Sequence, residues 1–273
     1  MGTFIQWKNF EALLPYANMF KEGLITTVLL ALFTVLIGFV LGLLLSVMRM
    51  SNIRPFLWLA HAFPDTFGFF ERDRNGMLRD SGFLYHLGRF NPLGFLATAY
   101  VEVIRSTPVL VQVAVIYYGV FSQLFDLPTF RIFGFISFNR FFPGVVALAM
   151  NSGAYLCEII RSGLQSVEGG QTEAARSLGL SQLQNMRFII LPQALKNILP
   201  AIANEFVTII KESAITYTIG VQDIMAMVFA IRSATYIIME PLLVATALYF
   251  CLCFPLSKLI AYIERRMSRG DRR

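Results

Sequence analysis

The chain alternates long apolar runs with short polar stretches, and this alternation restricts its fold more than any other feature. Residues 23–48 form one run that exceeds the ~20 apolar residues needed to cross a bilayer as a helix. Hydrophobic residues make up 56% of the 273 residues and charged residues only 15%, whereas soluble domains average about 45–50% and about 25%. The sequence therefore predicts an all-α integral membrane protein.

Five runs predict about five membrane spans, with the amino terminus outside and the carboxyl terminus inside. In the first span, Gly38 and Gly42 form a small-xxx-small pair that is compatible with close helix packing. In the second, Pro108 frees a backbone carbonyl and predicts a kink. The predicted spans are residues 23–48, 94–121, 141–160, 198–210 and 241–263.

Residues 214–239 are also apolar, but Gly220, Asp223 and Arg232 interrupt them. If they crossed the membrane, the basic carboxyl-terminal tail would lie opposite the polar loop 163–197, which the positive-inside rule disfavours. We interpret this segment as re-entrant or as lying at the outer surface, which leaves 16 of the 23 Lys and Arg residues in inner segments. The predicted organisation is an outer segment 1–22, a transmembrane domain 23–264 with an inner insertion near 49–93 and the polar loop 163–197, and a basic tail 265–273.

Neither the cysteines nor the net charge indicates metal, nucleotide or nucleic-acid chemistry. The three cysteines lie in apolar runs with only two histidines elsewhere, so no metal-ligand spacing is present. No phosphate-binding Gly-x-x-x-x-Gly-Lys loop occurs, so any nucleotide chemistry belongs to another chain. The net charge of +6 fits basic cytoplasmic loops better than nucleic-acid binding.

The polar stretch 169–200 reads GGQTEAARSLGLSQLQNMRFIILPQALKNILP. It predicts a short helix that opens at Gln171 and is closed by Gly179, a residue suited to the left-handed conformation that ends helices. Glu173 falls in the predicted first turn, where the helix dipole favours a negative charge. Such a helix is too short to stand alone in water, which predicts a docking element for a soluble partner. Its small apolar face consists of Ala174, Ala175 and Leu178.

Four motifs in order resemble one family. EAARSLGL, followed by ILPQAL, resembles the EAA loop of ABC-importer permeases, and YVEVIRSTPVLVQ, GAYLCEIIRSG and NEFVTIIKES resemble the polar-amino-acid branch of that family. The resemblance implies the transmembrane domain of a type I ABC importer in a bacterial inner membrane. It also implies a cytoplasmic ATPase dimer that uses ATP and Mg²⁺, a second permease subunit, an extracytoplasmic binding protein and an amino acid substrate, with no cofactor bound by this chain. The predicted ATPase-coupling residues are Glu173, Ala174, Ala175, Leu178 and Gly179.

Two predicted spans carry polar residues at helical spacing, which predicts a substrate cavity near the membrane midplane. Carboxylates there would attract the ammonium of an amino acid, and the neutral polar groups would orient it. Glu158 has a structural alternative, which is pairing with Arg161, and Glu212 can instead meet a neighbouring lysine or the outer water. The candidate substrate-binding residues are Asn151, Tyr155, Glu158, Glu205, Thr208 and Glu212.

Other charges and other function classes stay open at this stage. Glu102 and Arg105 are three residues apart and are predicted to pair as a structural contact or gate. A secondary transporter working without ATP is an alternative. A membrane-embedded enzyme is another, with Glu205 and Glu212 as its candidate carboxylates and no metal.

Overall fold

The computed structural model describes residues 6–51 and 91–268, which form a bundle of long helices. The predicted inner insertion falls largely on residues 52–90, and Met1 and the end of the basic tail also lie outside the described residues. The helices are α1 (Trp7–Glu11), α2 (Ala17–Met50), α3 (Pro92–Arg105), α4 (Val109–Ala114), α5 (Ser122–Leu124), α6 (Phe138–Gln165), α7 (Gly169–Ser177), α8 (Gln182–Asn185), α9 (Leu191–Glu212), α10 (Ile224–Thr235) and α11 (Met239–Ser268).

Shorter elements connect or extend these helices. A two-stranded antiparallel hairpin precedes α6, so the fold is helical apart from this small sheet within the described residues. The remaining elements are the 3₁₀ turns Leu14–Tyr16 and Ser213–Ile219, the π-helical segments Val115–Phe121 and Met186–Ile190, and the strands β1 (Arg131–Ile132) and β2 (Ile136–Ser137).

Three described helices are long and apolar enough to cross a membrane, namely α2 with the short elements before it, α6 and α11. Two bent pairs pass the same test jointly: α3 with the segment from α4 to α5, and the segment Gln182–Ile219 with α10. Counting each pair as one span gives five, which agrees with the predicted number. The observed helices extend beyond most of the predicted spans at both ends, because hydropathy marks only their apolar centres.

The centre of the bundle is the pair α2 and α6, which approach closely at glycines. A β-carbon added to Gly42 would lie 2.7 Å from Leu156 Cβ and 2.9 Å from the carbonyl oxygen of Gly153. At Gly38 the nearest atoms would be those of Ser152, at 3.2 Å. The small-xxx-small pair therefore does mark close helix packing.

Pro108 produces a corner, where the sequence predicted a kink. The axes of the two halves differ by 108° across residues 106–108. Pro108 has no N–H to offer the carbonyl of Ile104, and the side chain of Gln112 donates to that carbonyl from Nε2 at 2.6 Å instead. The same Nε2 donates to the carbonyl of Thr107 at 3.0 Å, so one side chain satisfies the exposed backbone of the corner.

The segment after α9 lies at the end of the bundle where α6 begins. Gly220 has φ +81°, which stops the 3₁₀ turn, and α10 that follows has 12 residues. A helix of that length is about 18 Å long, less than the ~30 Å hydrocarbon core. Arg140, near the start of α6, donates from a guanidinium nitrogen to the carbonyl of Ile219 at 2.8 Å. Alone, α10 is therefore too short to cross the membrane.

Candidate functional site

The candidate site lies where α6 crosses α9. Ser152 Oγ donates to Glu205 Oε1 at 3.0 Å, and both side chains are buried. Glu205 therefore points into the protomer and has a neutral partner there. An ionised carboxylate in that position would be costly without hydrogen bonds, so the serine hydroxyl is a necessary part of its environment.

Asn151 belongs to a second buried contact on α6. Its Nδ2 donates to Gln112 Oε1 at 2.9 Å, and both side chains are buried. Because Gln112 also binds the backbone of the Pro108 corner, the Asn151 side chain ties α6 to the bent span. Asn151 is adjacent on α6 to Ser152, which is the partner of Glu205.

The predicted pair of Glu102 and Arg105 is wrong: the described structure contains no ion pair between them. Arg105 is the last residue of α3, and its guanidinium lies over the ring of Tyr155, 5.4 Å from the ring centroid. A cation–π contact with α6 therefore replaces the contact within α3. Tyr155 is exposed on α6, and Glu102 is exposed as well.

Glu158 forms the structural alternative named above, an ion pair with Arg161. Its Oε2 accepts from Arg161 Nη2 at 2.7 Å, and its Oε1 accepts from Arg49 at the end of α2. Both carboxylate oxygens are thus occupied by arginines. This cluster lies towards the end of α6 that leads into α7, away from the Ser152–Glu205 contact.

The exposed polar face of α9 differs from the predicted one. Asn197, Asn204 and Lys211 are exposed and Thr208 is partly exposed, at spacings of seven, four and three residues that keep all four on one side of the helix. Thr208 Oγ1 donates to the carbonyl of Asn204 at 3.2 Å. We call these four residues the α9 polar stripe. Glu212 lies half-buried at the end of α9.

Sequence reasoning missed Ser152, Gln112 and Asn204. Gln112 and Asn204 both lie in the quoted motifs, and Asn204 continues the spacing of Thr208 and Lys211. No sequence signal assigns Ser152 to Glu205, because the two residues are 53 positions apart.

The short helix α7 projects at the opposite end of α6 from the hairpin. It begins at Gly169, so Glu173 does not lie in the first turn, which contradicts the sequence-based prediction. Gly179 has φ +79°; its N–H bonds the carbonyl of Arg176, and that of Leu180 bonds the carbonyl of Ala175. These bonds form a Schellman motif, so the predicted helix stop at Gly179 is confirmed.

The apolar face of α7 is divided between two environments. Leu178 is 80% exposed, and Ala174 is exposed, whereas Ala175 is only 1% exposed. The prediction that all three form one face left for a partner is wrong for Ala175. The loop folds back, so that α7 packs against the segment Met186–Ile190 and Ala175 is buried.

The path from α7 to α9 is continuous. Ser181 caps α8 through a reciprocal pair of bonds with Gln184. The π-helical segment then leads to Pro192 in the first turn of α9. Pro192 lacks the N–H that would bond the carbonyl of Phe188, which accounts for the irregular turn before it.

A comparison with known families decides the class of the protein. The family described as "Binding-protein-dependent transport system inner membrane component" matches residues 82–269. The chain belongs to this family of membrane transport components.

Curated members of the family resemble the chain over nearly its whole length. The arginine transport system permease protein ArtQ of Bacillus subtilis (strain 168) is 34% identical over 96% of this chain and 99% of its own. The nopaline transport system permease protein NocM of Agrobacterium fabrum is 35% identical over 88% and 83%. A putative glutamine transport system permease protein, GlnP of Rickettsia typhi, is 31% identical over 90% and 91%.

Solved structures confirm the predicted type I importer fold. The crystal structure of an amino acid ABC transporter with histidines matches with a TM-score of 0.74 and 38% identity, over 94% of this chain and 98% of that one. An inward-facing MetNI methionine ABC transporter matches with a TM-score of 0.60 over 92% and 98%, and at 15% identity this likeness concerns the fold alone. The family model spans α3 to α11, and the likeness to the first of these two structures extends over 94% of the chain.

Within residues 6–51 and 91–268, no group of three or more His, Cys, Asp or Glu side chains is placed to hold a metal ion. Glu205 and Glu212, the carboxylates of the enzyme alternative, lie on one helix, and Glu205 is bonded to Ser152. Similar chains are transport permeases, which agrees with a non-catalytic subunit.

Proposed function

We propose that the chain is the permease subunit of an ATP-driven importer that moves polar or charged amino acids inward by alternating access. The observation that carries this proposal is the α9 polar stripe on a membrane span whose other end is joined to α7. Polar residues on a span are costly against lipid and instead face water or another chain. In a dimer of permease subunits, two such stripes would line a common route.

The stripe and the groups behind it suit an amino acid. The Lys211 ammonium would bind the substrate carboxylate, and the Asn204 amide would orient it. Glu205 and Glu212 would supply negative charge for the substrate ammonium. Permeases for arginine, glutamine and nopaline are among the similar chains, which supports polar or charged side chains as the substrate class.

Helix α7 would couple this route to a cytoplasmic ATPase dimer, which uses ATP and Mg²⁺ while this chain binds no cofactor. Leu178 and Ala174 are the apolar groups of this face that are available for a groove of the ATPase, because Ala175 is already buried. Movement of the ATPase would reach α9 through the Gly179 turn and Pro192. Alternating access then requires two helix arrangements, and nucleotide and substrate must differ in their affinity for these two arrangements.

The same proposal sets the sidedness. α7 and the carboxyl terminus lie inside, and the amino terminus, the hairpin and α10 lie outside, where an extracytoplasmic binding protein delivers substrate. Gly270→Cys, a position outside the described residues, should react with membrane-permeant but not with impermeant thiol reagents in intact cells. Labelling by an impermeant reagent would contradict this topology.

Reconstitution tests the proposed function. The permease, its ATPase and its binding protein are placed in proteoliposomes, and uptake of a panel of labelled amino acids is measured with and without ATP. We expect ATP-dependent uptake of polar amino acids that disappears when the P-loop lysine of the ATPase is replaced by alanine. Uptake driven by a sodium or proton gradient without ATP would identify a secondary transporter instead.

A variant pair ties the uptake to the stripe. Lys211→Gln should lower uptake because the carboxylate of the substrate loses its cation. Lys8→Gln, a matched change at an exposed lysine of α1, should leave uptake unchanged. Equal effects from both variants would place the substrate route elsewhere.

A further inference from the structure

A surface pocket of about 290 Å³ lies beside the carboxyl-terminal half of α10 and the turn into α11. This end of the bundle is opposite α7, because α10 follows the turn that Arg140 of α6 holds at Ile219. The pocket is lined by Phe229, Arg232, Ser233, Tyr236 and Ile238. It is remote from the α6–α9 crossing and plays no part in the route described above.

Arg232 gives the pocket its charge. Its side chain is exposed, and within the described residues it has no carboxylate or other acceptor as a partner. The carboxylate of Glu240, near the start of α11, accepts from the N–H of Gln6 and from the side chain of Asn9. The pocket therefore presents a free guanidinium and no acidic side chain, which favours an anionic ligand.

Tyr236 gives the pocket a fixed rim. It ends α10 with φ +60°, and its N–H bonds the carbonyl of Arg232 at 2.8 Å. A tyrosine rarely adopts this left-handed conformation, and such residues concentrate at functional sites. Its side chain is 88% exposed, and Ile238 beside it is 51% exposed. An unpaired Arg with exposed Tyr is the residue combination that dominates protein-interface hot spots.

We propose that this pocket is a docking point for the extracytoplasmic binding protein and that it receives an acidic side chain of that protein. The proposal rests on the proposed function, which places this end of the bundle outside. A planar carboxylate can bind the Arg232 guanidinium through two parallel hydrogen bonds. Arg and Tyr also anchor proteins at lipid headgroups, but a concave pocket with a rigidly turned rim fits a single protruding side chain better than a fluid surface.

The test measures how much binding protein is needed to stimulate the ATPase of the complete complex in proteoliposomes of neutral lipid. Arg232→Glu should raise the half-stimulating concentration at least about tenfold, since attraction becomes repulsion. Arg232→Lys should raise it about two- to fivefold, because an ammonium keeps the charge but loses the planar fork. ATPase activity without binding protein should stay unchanged in both. Binding-protein variants with one surface acid changed to lysine should include one that restores stimulation of Arg232→Glu.

Arg131→Glu provides the matched control, because Arg131 is an exposed arginine of the hairpin that does not line the pocket. We expect its half-stimulating concentration to stay within about twofold of the wild type. An equal rise in the half-stimulating concentration for both variants would mean a general electrostatic effect and would contradict docking at the pocket.

Three other outcomes overturn the proposal in distinguishable ways. If binding protein stimulates the ATPase of the Arg232→Glu complex at the wild-type concentration, the pocket is not a docking point. Loss of the permease dimer in that variant, seen by size-exclusion chromatography, assigns the pocket to a second permease copy, and an effect that appears only with anionic lipid assigns it to headgroups. A wild-type complex that no binding protein stimulates contradicts the proposed function itself.

Discussion

A hydrogen bond between Ser152 and Glu205 joins α6 and α9, the two helices on either side of the polar loop 163–197. The serine Oγ donates to the glutamate Oε1 at 3.0 Å between buried side chains. Since α6 leads into α7 and α9 leads out of it, this contact lies where movements of the loop would separate or join the two spans. From this position we expect a role in stability and, under the proposed function, a role in transport.

Removing the serine hydroxyl should destabilise the permease. Ser152→Ala leaves the buried Glu205 side chain without its donor, at a cost of about 1–3 kcal/mol in the free energy of unfolding. We expect a lower thermal midpoint in detergent and weaker uptake. Glu205→Gln keeps an acceptor for Ser152, so the complex should assemble normally while uptake falls with the lost charge. Uptake at the wild-type rate and affinity in both variants would exclude a role in transport.

Gln112 should matter more for stability than Asn151. Gln112→Ala loses the bond from Asn151 and also the bonds to the carbonyls of Ile104 and Thr107. Asn151→Ala loses only the bond between the two side chains. We expect both variants to weaken uptake and Gln112→Ala to have the lower thermal midpoint. A thermal midpoint for Gln112→Ala equal to that of the wild type would contradict its role at the Pro108 corner.

Close packing of α2 on α6 predicts intolerance at Gly42. A β-carbon there meets backbone and Cβ atoms at 2.7–3.0 Å, so Gly42→Ala should cost about 1–3 kcal/mol by overpacking. Gly119→Ala is the control, because its nearest neighbour, Val115 Cγ1, would be 4.0 Å away. Thermal midpoints and membrane yield of the two variants provide the measurement. Similar values for both would mean that α2 and α6 can separate at little cost.

Aspartate substitutions at Leu178 and at Ala175 should impair the permease in different ways. Leu178→Asp changes an exposed side chain, so the permease should fold normally but lose the ATPase in co-purification, together with uptake. Ala175→Asp places a charge at a buried position, so it should disturb the loop itself and make it more sensitive to protease. Leu183→Asp is the comparison, since Leu183 is 77% exposed but belongs to α8 and not to the apolar face of α7. Full ATPase binding by Leu178→Asp would show that α7 is only a surface turn.

Gly179 should tolerate asparagine better than valine. Its φ of +79° costs a residue with a β-carbon about 1–2 kcal/mol, and more for a β-branched one. No atom lies within 4 Å of the added β-carbon, so the penalty comes from the backbone alone. We expect Gly179→Val to abolish substrate-stimulated ATP hydrolysis and Gly179→Asn to retain part of it. Equal activities would contradict this conformational explanation.

Much of the fold is determined by local features of the sequence. Long apolar runs must span the membrane as helices, because only a helix satisfies every backbone group within one segment. The helix stop at Gly179 and the close approach at Gly42 were also predictable from local sequence, because each depends on a single residue that lacks a β-carbon. The segment 214–239 was interpreted from the charge distribution as re-entrant or as lying at the outer surface, and this stays a prediction.

Only the tertiary structure decided what each helix face meets. Helical spacing showed that Asn151 and Glu205 lie on polar faces, but their partners are Gln112, 39 residues away, and Ser152, 53 residues away. In the same way, spacing placed Ala175 beside Leu178, and only the folding back of the loop covers one and leaves the other exposed. Periodicity specifies which residues share a side of a helix, whereas the neighbour on that side depends on how distant segments pack.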